Sequence, residues 1–189
     1  MALRVVLDAC VLYPVALRDC LLRVAELDLL QIVWSRRILD EMKVAILRRR
    51  PDIDSPRIDL MIDMMRTAFP EAEVDGWEAL GGQMRNEPND RHVLALAVHA
   101  RAQMVVTANL KHFPADACDP YAVEAITPDD LLCRLLESSA PTVIRVIRQF
   151  SEDTPSNPPM SVDEILQAIG RSTPLFAERA RALLSQLGD

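Results

Sequence analysis

Three acidic residues stand where an acid needs a reason. Asp8 ends a run from Leu3 to Leu7 that is apolar apart from Arg4. Glu41 lies at helical spacing from Ile38 and Ala45, so it shares their apolar stripe instead of the solvent face. Asp90 opens an apolar helix carrying Val93, Leu94, Ala97 and Val98. Taken singly, each has an ordinary explanation: a turn residue, a boundary residue, a helix cap. Together they would repel, by about 4 kcal/mol per pair for carboxylates roughly 4 Å apart at an effective dielectric of about 20. A hard divalent cation removes that repulsion, and an all-oxygen ligand set favours Mg²⁺ or Mn²⁺ over zinc.

The elements that position these acids follow from periodicity and punctuation. Leu3 to Leu7 predicts a buried parallel strand, as do Met104 to Thr107 and Tyr121 to Ile126. Ser35 caps a helix bearing Ile38, Met42, Ala45 and Ile46 that stops before Pro51, and Ser55-Pro56 opens a second that runs towards Pro70. Asn89 or Asp90 caps the helix leading into the Met104 strand, and Thr127-Pro128 begins another that ends near Glu137. Alternating strands and helices imply an α/β domain whose parallel sheet is covered on both faces. Ligands bind such sheets beyond the carboxyl ends of the strands. Asp8, and Thr107 with Asn109, end two of those strands and are expected to converge on one edge.

After about residue 140 the pattern is helical alone. Val143 to Phe150 precedes a Pro-rich break from Thr154 to Pro159. Ser161 and Glu164 then have capping-box spacing, Gly170 can stop that helix, and Thr173-Pro174 starts a last one that Gly188 can end. The expected division is therefore an α/β domain over 1–139 and a helical appendage over 140–189. Ile144, Ile147, Ile165, Leu166, Ile169, Leu183, Leu184 and Leu187 need cover from the first domain, a second copy or a partner.

Composition narrows the class. Half of the 189 residues are hydrophobic, which fits a folded domain and excludes a disordered one. No stretch approaches the roughly 20 uncharged apolar residues of a membrane helix, and charges at Arg4 and Asp8 argue against a secretory signal, so the expected location is cytoplasmic. The four cysteines show no metal-type spacing and read as reduced thiols filling small spaces. A formal charge of −7 excludes nonspecific coating of nucleic acid.

Four segments, LDACVLYP (7–14), ILDE (38–41), NDRHVLALAV (89–98) and VVTANLKHFP (105–114), resemble the motifs of PIN domains, and the chain is most similar to the VapC-type toxins of bacterial toxin–antitoxin pairs. NPP followed by a capped helix (157–170) resembles the tail of one VapC subfamily. The resemblance implies a three-layer α/β/α fold with a central parallel sheet. It also implies an Mg²⁺- or Mn²⁺-dependent endoribonuclease with Asp8, Glu41 and Asp90 as metal ligands and Thr107 lining the site. An RNA substrate such as tRNA or rRNA, a cognate antitoxin and a homodimer come with it.

Two positions depart from the family pattern. Asn109 stands where many PIN domains have Asp, offering a carbonyl oxygen but no charge, and His112 stands where this subfamily has an acid. His112 is open to reading as a phosphate or metal contact, an acid–base group or a surface substitution. His92 and His99 read as packing or surface residues, with His92 close to Asp90 in sequence. On the Ser35 helix, Arg36, Arg37 and Lys43 flank Glu41 and are placed to hold RNA phosphates, if that face is not simply solvated. The two unusual positions also leave open a noncatalytic PIN-like RNA- or protein-binding module. A receiver domain or aspartyl phosphatase is disfavoured, because the second acid the latter needs is replaced by Cys10.

Overall fold

A computed structural model describes residues 2–154 and 160–187 of the chain. The order is β1 (Leu3–Leu7), α1 (Ala9–Leu12), α2 (Val15–Glu26), β2 (Leu30–Val33), α3 (Arg36–Arg49), α4 (Ser55–Ala68), α5 (Glu78–Gly81), α6 (Arg91–His99), β3 (Met104–Val106), α7 (Ala115–Cys118), β4 (Glu124–Ile126), α8 (Pro128–Asp153), α9 (Val162–Gly170) and α10 (Pro174–Leu187). Short 3₁₀ turns occupy Pro88–Asp90, Leu110–His112 and Asp119–Tyr121. The strands form one parallel sheet in the order β2-β1-β3-β4, the α/β class expected. No helix among the described residues is long and apolar enough to cross a membrane.

Two compact units divide the chain. The first comprises Met1–Tyr13 and Gln31–Ile126. Its centre is apolar because the middle strands are: Val5, Val6, Leu7, Val105 and Val106 are wholly buried. The register pairs Leu7 with Val106 and Val106 with Ile126, so the residues following β1 and β3 emerge side by side. The Asp8 N–H donates to the Val106 carbonyl at 3.1 Å, and the Thr107 N–H to the Ile126 carbonyl at 3.0 Å, carrying the ladder one step past both strands. Helix α3 packs on α1, and α6 packs on β1 and β3. Ser35 caps α3 as expected, its hydroxyl accepting from the Ile38 N–H at 3.3 Å. The strand anticipated from Tyr121 is shorter: Asp119–Tyr121 is a 3₁₀ turn and Ala122 is left-handed at φ 54°, so β4 begins at Glu124.

The second unit comprises Pro14–Leu30 and Thr127–Asp189. The border expected at residue 140 thus falls inside α8. Pro141 lacks an N–H and crowds the preceding turn, and two helical stretches, the first ending close to the Glu137 expected, meet across a kink at Ser139 (φ −148°, ψ 44°) in α8. Its apolar stripe resumes with Val143, Ile144, Val146, Ile147 and Phe150, all buried. Within this unit α2 packs on α8 and α9, and α10 packs on both of those. The capping box of Ser161 and Glu164 is present, and the Asp129 carboxylate accepts the N–H groups of Leu175 (3.1 Å) and Phe176 (2.8 Å) at the start of α10. Of the tail residues expected to need cover, Ile144, Ile147, Ile165, Leu166, Ile169 and Leu184 are buried, whereas Leu187 is exposed. The Pro-rich segment 155–159 and Gly188 lie outside the described residues.

Gly170 ends α9 as expected and has a second role. It is the last residue of α9, and a Cβ built there would lie 2.9 Å from the Ala177 Cβ of α10, closer than side chains approach. Gly81 has nothing within 4 Å of the same virtual atom. Gly170→Ala is therefore expected to destabilise the protein by about 1–3 kcal/mol through overpacking. Gly81→Ala should be neutral or stabilise by up to about 1 kcal/mol. Urea denaturation of both variants checks this, and equal midpoints would contradict the close approach.

Candidate active site

Asp8 is the first residue beyond β1 and is only 5% exposed. Its backbone carbonyl accepts from Val11 and Leu12 at the start of α1, while its carboxylate turns across to β3. There Oδ2 accepts the Thr107 hydroxyl at 2.7 Å and the Cys10 thiol at 3.0 Å. The Asn109 N–H donates to Thr107 Oγ1 at 3.0 Å, and the Ala108 N–H donates to Cys10 Sγ at 3.2 Å. Burial, reinforced by the Asp8 charge, pushes the Cys10 thiol up to about 12. It is a protonated donor and not a nucleophile.

Glu41 lies on α3 with its side chain 39% exposed. His92 Nε2, from α6, stands 2.9 Å from Oε1 and 3.0 Å from Oε2, and Arg37 Nε donates to Oε1 at 3.1 Å. Asp90, just before α6, makes no cap bond; its Oδ2 meets His112 Nδ1 at 2.6 Å. Burial raises the Glu41 carboxyl, Arg37 opposes it, and the charges of Asp8 and Asp90 raise it further. Burial likewise raises Asp90, His112 opposes it, and Asp8 adds to the rise. The charge of Asp8 thus reaches both Glu41 and Asp90, the other two acids that the sequence singled out.

Their chemistry fits a hard divalent cation, since such an ion relieves both the burial cost and the mutual repulsion that raise Glu41 and Asp90. In the arrangement seen, Glu41 and Asp90 instead engage histidines, and among the described residues no three His, Cys, Asp or Glu side chains form a ligand cluster. Of the expected phosphate contacts, Arg37 is held by Glu41, Lys43 by Asp59 and His112 by Asp90, whereas Arg36 is exposed. The sequence reading missed His92 as a partner of Glu41 and Cys10 as a donor to Asp8. The available signal for His92 was a polar ring within a helix whose residues 92–97 are all buried. Burial, with the Arg37 charge, pushes this imidazole down to about 4; because an ionised carboxylate only accepts, Nε2 is the ring nitrogen placed to donate to Glu41.

A family model described as PIN domain matches residues 4–111, more than half of the chain and a span that contains Asp8, Glu41, Asp90, Thr107 and Asn109. The chain belongs to the PIN-domain family. A second model, described as VapC50 C-terminal domain, matches residues 128–182, so the PIN match ends ahead of α8 and this one starts on it. A Mycobacterium tuberculosis (strain ATCC 25618 / H37Rv) protein named "Putative ribonuclease VapC50" is 43% identical over 108 residues. That covers 57% of this chain and 63% of the relative, less than two thirds of the relative's length. No solved structure matches.

The raised Asp90 carboxyl has a consequence for stability. Its ionised form is the disfavoured one in the folded state, so the penalty is absent below the ordinary aspartate value of 3.8 and complete above the raised folded value. In metal-free protein, Asp90→Asn is expected to melt higher than the parent near neutral pH, by about 2–4 °C if the penalty is about 1 kcal/mol. The difference should shrink as pH falls towards 3.8. Thermal unfolding across pH 4–8 in a chelator (roughly the window of carboxylate titration) checks it; a variant less stable than the parent throughout would refute the strain.

Proposed function

We propose that this PIN domain is a metal-dependent endoribonuclease that hydrolyses RNA phosphodiester bonds, with Asp8, Glu41 and Asp90 holding Mg²⁺ or Mn²⁺. The observation that carries the reading is the nearly buried Asp8, fixed by Thr107 at 2.7 Å beside two acids whose carboxyls its charge raises. Such a cluster opposes its own ionisation unless a cation joins it. A bound divalent ion supplies a Lewis acid that activates water and stabilises charge on the transferring phosphoryl group.

The protein's own residues do the holding. Thr107 orients Asp8, the Asn109 backbone orients the Thr107 hydroxyl, and the Asn109 side-chain carbonyl offers a neutral oxygen at the fourth position. With a net charge of −7, RNA must be met locally, and Arg36 with Arg37 beside Glu41 can neutralise phosphates at the site. The word ribonuclease in the name of the mycobacterial relative supports the same reaction class. The VapC50-type match over 128–182 supports kinship with VapC proteins; the resemblance of the motifs to VapC-type toxins extends the proposal to a toxin of a toxin–antitoxin pair that acts on a structured RNA such as tRNA or rRNA, is restrained by an antitoxin and assembles as a homodimer in the cytoplasm. On this reading the α/β unit, Met1–Tyr13 with Gln31–Ile126, carries the chemistry and the helical unit serves association.

A second reading, a noncatalytic RNA- or protein-binding module, draws on the His112–Asp90 contact at 2.6 Å and on Asn109 in place of an acid. Cleavage separates the two. RNA hydrolysis should require Mg²⁺ or Mn²⁺, stop in EDTA, and drop by about 100-fold or more in Asp8→Asn, Glu41→Gln and Asp90→Asn, each remaining folded by circular dichroism. Undiminished cleavage in EDTA, or in any two of these variants, would overturn the ligand assignment; RNA binding without cleavage would select the module.

A further inference from the structure

We propose that His92 is the positioning residue of Glu41, a buried imidazole whose Nε2 fixes the plane of that carboxylate at the metal site. The inference rests on the reading of Glu41 as a metal ligand and assigns the residue that aims it.

His92 occupies a place where packing alone calls for an aliphatic side chain. It is 3% exposed on α6 and is followed by Val93, Leu94, Ala95, Leu96 and Ala97, all wholly buried. Its Nδ1 is buried and has no hydrogen-bond partner, so the ring leaves one polar atom unsatisfied in order to present the other. That other atom reaches both oxygens of Glu41, at 2.9 and 3.0 Å, across 51 residues of sequence. Trp77 meets the ring edge-on, with centroids 5.9 Å apart and planes at 73°, which limits rotation of the imidazole.

Glu41 has one other side-chain contact of this kind, and it is a softer one. Arg37 sits one turn earlier on α3, its side chain is half exposed, and it touches Oε1 alone at 3.1 Å. An exposed arginine on a flexible stem holds a carboxylate weakly. The buried imidazole comes from a different helix and cannot follow Glu41 if α3 shifts, so it sets where the carboxylate points relative to Asp90, two residues away on the chain from His92. A carboxylate has roughly four acceptor sites, and one N–H shared by its two oxygens leaves places for a cation. Outer hydrogen bonds of this type orient ligands and tune affinity.

The test compares His92→Leu, which keeps the volume and removes the donor, with His92→Gln, whose amide N–H can replace Nε2–H. Mn²⁺ binding by calorimetry is read beside thermal stability in chelator and RNA cleavage. The expected result is a loss of Mn²⁺ affinity of about 10- to 100-fold in the Leu variant, with its melting temperature at or above the parent's, and recovery of most of the affinity in the Gln variant. A structural histidine predicts the reverse: lower stability in both variants and unchanged affinity in whatever stays folded, and that result overturns the proposal. If the Leu variant fails to fold, the Gln variant decides: affinity near the parent's supports the proposal, and affinity lost in a stably folded Gln variant overturns it. A parent that binds no Mn²⁺ defeats the metal reading itself and this inference with it, whereas a parent that binds Mn²⁺ no better than the Leu variant defeats this inference alone.

Discussion

A carboxylate at the buried, apolar end of a strand must be stabilised by something, and in this protein two uncharged donors do it: the Thr107 hydroxyl at 2.7 Å and the Cys10 thiol at 3.0 Å. Neither neutralises Asp8, so its charge remains to act on its surroundings. The arrangement demands that β1 and β3 end at the same level, which the pairing of Leu7 with Val106 secures. It also demands that α1 start at once, so that Cys10 turns back onto Asp8. The rest of the site hangs from these two requirements: α3 rests on α1 and carries Glu41, while α6 rests on β1 and β3 and brings Asp90 and His92.

Local stability and site chemistry pull in opposite directions here. Glu41 and Asp90 are held where burial and neighbouring acids raise their carboxyls, a condition that a stability-optimised surface would avoid. Arg37 beside Glu41 and His112 beside Asp90 reduce the conflict without abolishing it. A buried ring nitrogen and paired carboxylates in a small region are the kind of local inconsistency that marks a functional site in an otherwise consistent fold.

Features written in local pattern were legible in the sequence. An apolar run stopped by a single acid gave away β1 and Asp8; Ser35, Thr127 and the Ser161–Glu164 spacing announced their helices, and each makes its cap bond. Strand β2 was not legible, because the chain passes from α2 into it without Gly or Pro: the turn is made by Asp28 in a left-handed conformation at φ 57°, which a non-glycine residue rarely adopts. The break in α8 was legible for the opposite reason: Pro141 cannot continue the ladder of the helix before it, and the kink at Ser139 is the result. Side-chain partners were the least legible of all. The tie of Glu41 to His92 spans 51 residues, that of Asp90 to His112 spans 22, and the claim of Asp59 on Lys43 removes a cation that local charge patterning assigned to phosphate.

The second unit is assembled from two separated stretches of chain, and this bears on how the protein is made. Helix α2 buries Leu17, Cys20, Leu21 and Val24 in a unit where its neighbours are α8 and α9, which emerge from the ribosome only after the whole of the sheet has been synthesised. Until then its apolar stripe lacks α8 and α9, whereas the strands of the first unit can pair as soon as β4 appears. Folding during synthesis is therefore discontinuous, with an early helix left in waiting and exposed to chaperones or to wrong partners. A nascent chain interrupted near Thr127 would present that stripe, so premature termination is more hazardous for this topology than for one whose domains follow each other in order.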